Sequence, residues 1–452
     1  MTAGQVKKTG FNRKHLIVMA LGNIIGSGIF LASGIVISLT GPAAVIAYMI
    51  GGLVMLLEVM FIAEMSIVNP APGAFRVHAS EVFGPGVGFV NGWMFWCSGV
   101  LGMASEVTAA AIFSAFWFPS IPLWLFCLVY SIVMTFINFM DVRGLSRFEA
   151  WLASIKIIAL IVFILFGFLA VIGVLHIGLP GAKVGFSSLN TFLPGGFKGL
   201  WASMLMVLFS FTGTGIIGMA VADMNNPAKD LPPAIYVISA ATTVLYSASI
   251  LFIVLLVPWN TLSASESPFV VIMQNSGIPL AGTILNVIVL TASLSGLNSS
   301  MYSASRMLAS LSRDRQGPKK FLAVNKNGVP VYALTLTSGI LALTAVLSYI
   351  LPERVFIILT GASGFTAMVN WLTISVTHIF YRKKTLKERP EKLQFKVPGY
   401  PWTSILAIVL IAAVLLTSFL YPEQISSLLT GIILIAVLMV IYIALRKLKV
   451  LE

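Results

Sequence analysis

Long apolar segments follow one another along the chain from about residue 16 to residue 445. Each is roughly 20 residues long, which is the length that an α-helix needs to cross a hydrocarbon core about 30 Å thick. Residues 155–175, for example, are apolar on nearly every face, whereas a strand of a membrane barrel alternates apolar and polar positions. The pattern therefore predicts an all-α polytopic membrane protein.

Short polar stretches divide these segments into twelve predicted transmembrane helices. The predicted spans cover residues 16–38, 42–68, 87–116, 122–140, 150–174, 199–221, 233–258, 279–305, 331–350, 354–380, 402–421 and 424–445. Residues 1–15 and 446–452 remain as short polar termini. No segment is left over for a separate soluble domain.

The charged residues are few and are placed unevenly. Only 10% of the residues are charged, against roughly 25% in soluble proteins. Nearly all Lys and Arg residues fall beyond span ends that would share one face, while Lys183, Lys198 and Arg354 fall on the other. Positive residues stay on the cytoplasmic side, so both termini are predicted to be cytoplasmic. The net charge of +13 then indicates topology and contact with anionic membrane lipids, not nucleic-acid binding.

Two predicted spans carry the same small-residue interruption. Span 1 contains Gly-Ser-Gly at 26–28, and span 6 contains Gly-Thr-Gly at 213–215. An offset of five spans places the second copy in the opposite orientation, which predicts an inverted repeat of 16–174 and 199–380. Glycines can also serve only close helix packing, and this alternative stays open.

An unwound segment would expose backbone groups inside the membrane. Glycine disfavours helix, and hydrocarbon cannot satisfy the freed N–H and C=O groups, so a ligand could. The N–H groups of residues 26–28 begin the outer half-helix and suit a carboxylate, whereas carbonyls that end the inner half suit an ammonium. The pattern therefore favours a zwitterionic ligand.

Several stretches together resemble one transporter family, the bacterial amino acid transporter family of the amino acid–polyamine–organocation superfamily. The matching stretches are HLIVMALGNIIGSGIF (15–30), AEMSIVNPAPGAF (63–75), GFVNGWMFW (88–96), EVTAAAI (106–112), FEAWLASIKIIALIVF (148–163), FSFTGTGIIGMA (209–220), NPAKDLPPAI (226–235) and LTASLSGLNSSMYSASRML (290–308). The resemblance implies a fold of five plus five inverted helices with two extra C-terminal spans (402–445), and proton-linked uptake of amino acids.

The same resemblance implies a substrate site at the two interruptions. Backbone N–H groups of Gly26, Ser27 and Gly28 would bind the substrate carboxylate. Carbonyls of nearby residues would accept from its α-amino group; these are Ile24, Phe209, Ser210 and Thr212.

Two positions depart from the family pattern. Gly215 stands where members commonly have an acidic residue, so the pocket gains volume and lacks that acid. Asp223 replaces a common Glu and could still lie at the cytoplasmic gate. With no acid at 215, a neutral amino acid is the expected substrate.

Ionisable residues inside spans are costly and are therefore functional candidates. Lys156 either snorkels to the surface or, as the resemblance implies, takes the place of a coupling cation beside span 1. Glu106 either lines the outer vestibule or is a protonated or water-exposed carboxyl that faces another helix. Glu58 and Glu64 are expected to pair with loop arginines.

The expected function is a secondary active transporter of the cell membrane that imports neutral amino acids by proton symport with alternating access. An amino-acid exchanger and a transport-inactive amino-acid sensor are the alternatives. An enzyme is disfavoured because Cys97, Cys127 and the four histidines form no cluster of ligands or nucleophiles in the sequence. The expected partners are the substrate and lipids; no cofactor or metal is expected, the energy source is the proton gradient, and the oligomeric state is left open.

Overall fold

The computed structural model describes residues 13–71, 73–140, 142–175, 192–221, 224–263 and 265–448. Its α-helices are α1 (Arg13–Ile24), α2 (Ser33–Thr40), α3 (Ala44–Val68), α4 (Phe75–Phe83), α5 (Pro85–Ala115), α6 (Leu123–Phe139), α7 (Val142–Val171), α8 (Gly196–Ser210), α9 (Gly215–Ala220), α10 (Pro227–Leu256), α11 (Pro268–Gln274), α12 (Ala281–Arg313), α13 (Val331–Ile350), α14 (Val355–Glu388), α15 (Trp402–Thr417) and α16 (Pro422–Lys447). The gate candidate Asp223 lies outside the described residues.

Apolar helices of membrane-spanning length make up most of the described chain. Ten of them are long and apolar enough to cross a membrane, and α6 is apolar but shorter. One of the ten, Gly28–Val68, contains two helices, because the chain turns at Gly41 between α2 and α3. The prediction of an all-α polytopic membrane protein is confirmed.

Two helices extend beyond their predicted membrane spans. Helix α7 begins at Val142 rather than near 150, and α14 continues to Glu388 rather than ending near 380. Helices can extend beyond the hydrocarbon when one face still packs, and Tyr381 and Thr385 are buried on such a face. Two short helices, α4 and α11, lie in segments that had been predicted as loops.

One end of the bundle, called the α4 end below, is held together by a buried arginine. Arg76 of α4 is 1% exposed and forms an ion pair with Asp314, just beyond α12. Its guanidinium also donates to Gln316 Oε1 at 2.8 Å and to Ser310 Oγ at 3.1 Å. In the sequence, Arg76 falls between the predicted spans 42–68 and 87–116 and is interpreted there as a loop charge. The N–H donors of the Arg76 guanidinium instead join α4 to the end of α12.

A second buried charge cluster at the α4 end is centred on Glu64 of α3. Glu64 Oε2 accepts from the Val397 N–H at 2.6 Å and from Arg382 Nη1 at 3.3 Å, and Oε1 lies 3.2 Å from His378 Nε2. The predicted pairing of Glu64 with an arginine is confirmed, but Arg382 belongs to α14 rather than to a solvated loop. Glu58 instead accepts from Ser375 Oγ at 3.3 Å.

We expect Glu64→Ala to destabilise the fold, because it leaves the Val397 N–H without its acceptor and the Arg382 guanidinium without its carboxylate partner. Removing one partner of a buried ion pair costs about 3 kcal/mol. The thermal unfolding midpoint of the purified protein in detergent measures the effect. The control is Glu388→Ala, which removes one negative charge from an exposed residue at the same end. This variant should unfold like the wild type. Equal midpoints for all three proteins would contradict a stabilising role for Glu64.

Candidate functional site

Both predicted helix interruptions are present. Helix α1 ends at Ile24, the chain bends at Ile25 and Gly26, and a π-helical turn over Gly28–Ala32 leads into α2. Helix α8 ends at Ser210, and α9 begins at Gly215 after a turn. Gly213 in that turn has φ +96°, a conformation that side chains other than glycine rarely adopt.

The two interruptions lie against each other. Asn23 Nδ2 donates to the Gly213 carbonyl at 2.8 Å, which joins the end of α1 to the turn between α8 and α9. A Cβ atom placed on Gly28 would lie 2.6 Å from Ser210 Cα. Backbone does not yield easily at that distance, so the small-residue packing considered above holds at Gly28.

Lys156 of α7 caps the carbonyl end of α1. Its Nζ donates to the Gly22 carbonyl at 2.7 Å and to the Ile25 carbonyl at 3.0 Å, and the side chain is 1% exposed. The Tyr246 hydroxyl donates to the Ile24 carbonyl at 3.0 Å. The snorkelling alternative is wrong, because the ammonium points at the helix end, where the helix dipole favours a cation.

Glu106 of α5 caps the N–H end of the outer segment. The Ser27 N–H lies 3.1 Å from both carboxylate oxygens of Glu106. The carboxylate also faces Gly26 and Gly296, where an added Cβ would meet it. Neither sequence-based alternative, a vestibule residue or a protonated or water-exposed carboxyl, anticipated this contact with the interruption itself.

The interruption in the first span therefore carries its own cation and its own anion. Lys156 and Glu106 attract each other electrostatically across it. The polarity is the one expected for a zwitterionic ligand, with negative charge at freed N–H groups and positive charge at freed carbonyls. A substrate carboxylate that bound Ser27 N–H would have to displace Glu106.

Some of the carbonyls that were predicted to accept hydrogen bonds from the substrate amine already accept hydrogen bonds from the protein. Ile24 accepts from Tyr246, as described above. The Phe209 carbonyl accepts from Thr212 Oγ1 at 2.7 Å and from the Thr212 N–H at 3.0 Å. Ser210 Oγ donates to the Met206 carbonyl at 3.1 Å and lies 3.3 Å from the Tyr48 hydroxyl.

A small cavity lies beside the turn between α8 and α9. Its volume is about 90 Å³, room for about three water molecules at roughly 30 Å³ each. Thr212 and Gly215 line it, as do Asn23, Phe95, Asn370 and Trp371. The Phe95 ring fills the space beside Gly215, since a Cβ there would lie 2.6 Å from Phe95 Cε2.

Some of these residues had a sequence signal and others did not. Asn23 is a polar residue in an apolar run, three positions before the Gly-Ser-Gly interruption, and could have been selected on that ground. Phe95 and Trp371 are aromatic residues in apolar spans, which nothing local distinguishes from packing residues. Lys156 and Glu106 were selected because they are charged.

Comparisons with known proteins show the family of the chain. The family model described as "Amino acid permease" matches residues 15–451. The chain is 36% identical over 450 residues to the gamma-aminobutyric acid permease of Bacillus subtilis (strain 168), covering 98% of this chain and 95% of that protein.

The chain belongs to the amino acid permease family. In the same organism, the amino-acid permease RocC is 36% identical over 428 residues, covering 93% of this chain and 90% of that protein. A putative histidine permease is 32% identical over 444 residues, with 97% and 93% covered. The permease is thus a transporter and not an enzyme.

We expect glycine substitutions in the interruption to have separable effects. Gly26→Ala would press on the Glu106 carboxylate, which is the end of a side chain and can shift, so it should lower transport with a smaller loss of stability than Gly28→Val. Gly28→Val would push against the backbone at Ser210, so it should lower both stability and transport; overpacking costs about 1–3 kcal/mol. Unfolding midpoints and uptake into proteoliposomes measure the two effects. Wild-type stability and uptake in Gly28→Val would contradict the close packing.

Proposed function

We propose that the permease imports neutral amino acids by proton symport with alternating access. The observation that carries this proposal is the interruption in the first span, where Glu106 and Lys156 already bind the backbone groups that suit a zwitterion. The cell membrane is the proposed location, with both termini cytoplasmic, and the α4 end would then be the cytoplasmic end. Asp223 stays a gate candidate from the sequence alone.

The proposed architecture has twelve spans in a five-plus-five inverted repeat followed by two further helices. Supporting it are the turn at Gly41, which divides one apolar stretch into two helices, and the shorter apolar helix α6. The two interruptions also meet, through Asn23 and Gly213, as the centres of inverted repeats do. Residues 16–174 and 199–380 would be the two repeats.

Coupling would follow from competition for one N–H group. The Glu106 carboxylate and a substrate carboxylate cannot both occupy the Ser27 N–H. A proton on Glu106 removes its charge and weakens its hydrogen bond from Ser27, since charge-assisted bonds are the stronger ones. Substrate then binds Gly26, Ser27 and Gly28 in its place, and one proton enters with each substrate.

Lys156 would control the inner half-helix. As an ammonium it holds the carbonyl end of α1 through Gly22 and Ile25, in the position of a bound cation. As a neutral amine it donates weaker hydrogen bonds and lets α1 move. The equilibrium between the two states of α1 would then shift with protonation, which is what alternating access requires.

A neutral substrate is supported by the lining of the small cavity. The described residues around it carry no charged side chain. The relative named as a gamma-aminobutyric acid permease carries, by that name, a zwitterion without a charged side chain. Because the cavity holds only about three waters, Phe95 would move away from Gly215 when the substrate side chain enters.

We expect Glu106→Gln and Lys156→Ala to lose gradient-driven accumulation, because neither variant can change charge at its site. The accumulation ratio should fall to about one, while exchange of labelled for unlabelled substrate continues in Glu106→Gln. Labelled uptake in proteoliposomes, with choline in place of sodium and with or without a protonophore, measures both. Lys14→Ala is the matched control outside the site.

Two results would contradict the coupling scheme. One is strict sodium dependence of the wild type, and the other is full proton-driven accumulation by both variants.

An exchanger is the second candidate function, because displacement of one carboxylate by another at Ser27 needs no proton. In that case the wild type would show exchange that a protonophore leaves unchanged.

We expect Gly215→Leu to shift preference toward smaller amino acids, because the added side chain would compete with Phe95 for the space beside the cavity and leave less room for a large substrate side chain. Large competitors should lose about tenfold in affinity, at the lower end of an overpacking cost of roughly 1–3 kcal/mol. Competition by all twenty amino acids against one labelled substrate gives the profile. The control is Gly339→Leu, which adds the same side chain at a helical glycine with open space around it. Its competition profile should equal that of the wild type. A profile equal to that of the wild type would remove Gly215 from the pocket.

A further inference from the structure

A much larger groove lies away from the interruptions, between α5 and α16 at the α4 end. Its volume is about 760 Å³, within the range of about 300–1,000 Å³ that small-molecule pockets have. Helix α5 contributes Phe89, Trp93 and Trp96 to one wall. The groove is therefore apolar and aromatic, and nothing in the transport scheme uses it.

The wall that α16 supplies is about as long as one leaflet is deep. Leu434, Leu438, Ile441 and Leu445 line the groove at spacings of four, three and four residues, which places them on one face of the helix. From Leu434 to Leu445 the axial distance is about 16 Å at 1.5 Å per residue. Half of a hydrocarbon core about 30 Å thick is nearly the same length.

Two cations line the groove where it reaches the α4 end. Arg315 and Lys319 are both exposed and both belong to the lining, and none of the described lining residues is acidic. Gln316 between them is fixed: its carbonyl accepts from Trp93 Nε1 at 3.1 Å and its Nε2 donates to the Pro85 carbonyl at 3.0 Å. Its Oε1 accepts from the buried Arg76. The cations are thus presented by a segment that is already held in place.

We infer that this groove binds a phospholipid with an anionic headgroup from the leaflet at the α4 end. The acyl chain lies between the aromatic wall of α5 and the aliphatic wall of α16, and the headgroup phosphate is bound by Arg315 and Lys319. The length of the groove, its apolar walls and the positive charge at one end together fit a phospholipid with an anionic headgroup. The bound lipid would also tie α16, the least buried of the long apolar helices, to the bundle.

The test is lipid binding to the purified full chain in neutral detergent, followed by native mass spectrometry. Phosphatidylglycerol and phosphatidylcholine with identical acyl chains are titrated separately. We expect one phosphatidylglycerol to bind more tightly than phosphatidylcholine. The double variant Arg315→Gln, Lys319→Gln should lose that preference, at about fivefold in affinity per removed cation.

Two further variants separate the groove from general charge. Lys326→Gln with Lys387→Gln removes the same charge from exposed positions outside the groove, and should keep the preference. Val437→Trp fills the groove without changing charge, and should weaken binding of both lipids. The inference is overturned if the two double variants lose equal affinity, or if Val437→Trp binds lipid like the wild type. A dimer that Val437→Trp abolishes would also overturn it, since a second copy would then be the occupant.

Discussion

The structure depends on how a helix that is interrupted inside a membrane satisfies its backbone. Hydrocarbon offers no hydrogen bonds, so the freed carbonyls at the end of α1 and the freed N–H at Ser27 need partners from the protein or from a ligand. Lys156, Tyr246 and Glu106 supply them, each from a different helix. These side chains therefore join α5, α7 and α10 to the interruption.

The sequence predicted the elements whose signal is local and strong. The length of the apolar segments predicted a polytopic membrane protein, and the two glycine motifs predicted the helix interruptions at 26–28 and 213–215. It could not predict which backbone atom Lys156 would reach, or that Glu106 would cap Ser27, because these contacts join residues 79 or more positions apart. Arg76 was read as a loop charge since its burial depends on Asp314 and Gln316, far along the chain.

Glycine serves two different purposes in the interrupted segment. At Gly26 the missing side chain leaves room for the Glu106 carboxylate, whereas at Gly28 it allows two backbones to approach each other. A single small-residue motif thus combines a contact with a carboxylate side chain and a contact between two backbones.

The cluster around Glu64 has a consequence for how the chain is made. Glu64 and its donor Val397 are 333 positions apart. At roughly 5–20 residues per second, the ribosome needs about 17–67 s to deliver Val397 after Glu64 has been synthesised. During that interval Glu64 lacks the Val397 N–H that it binds in the folded chain. Biogenesis would then have a late step, in which arrival of the segment before α15 closes the end of the bundle.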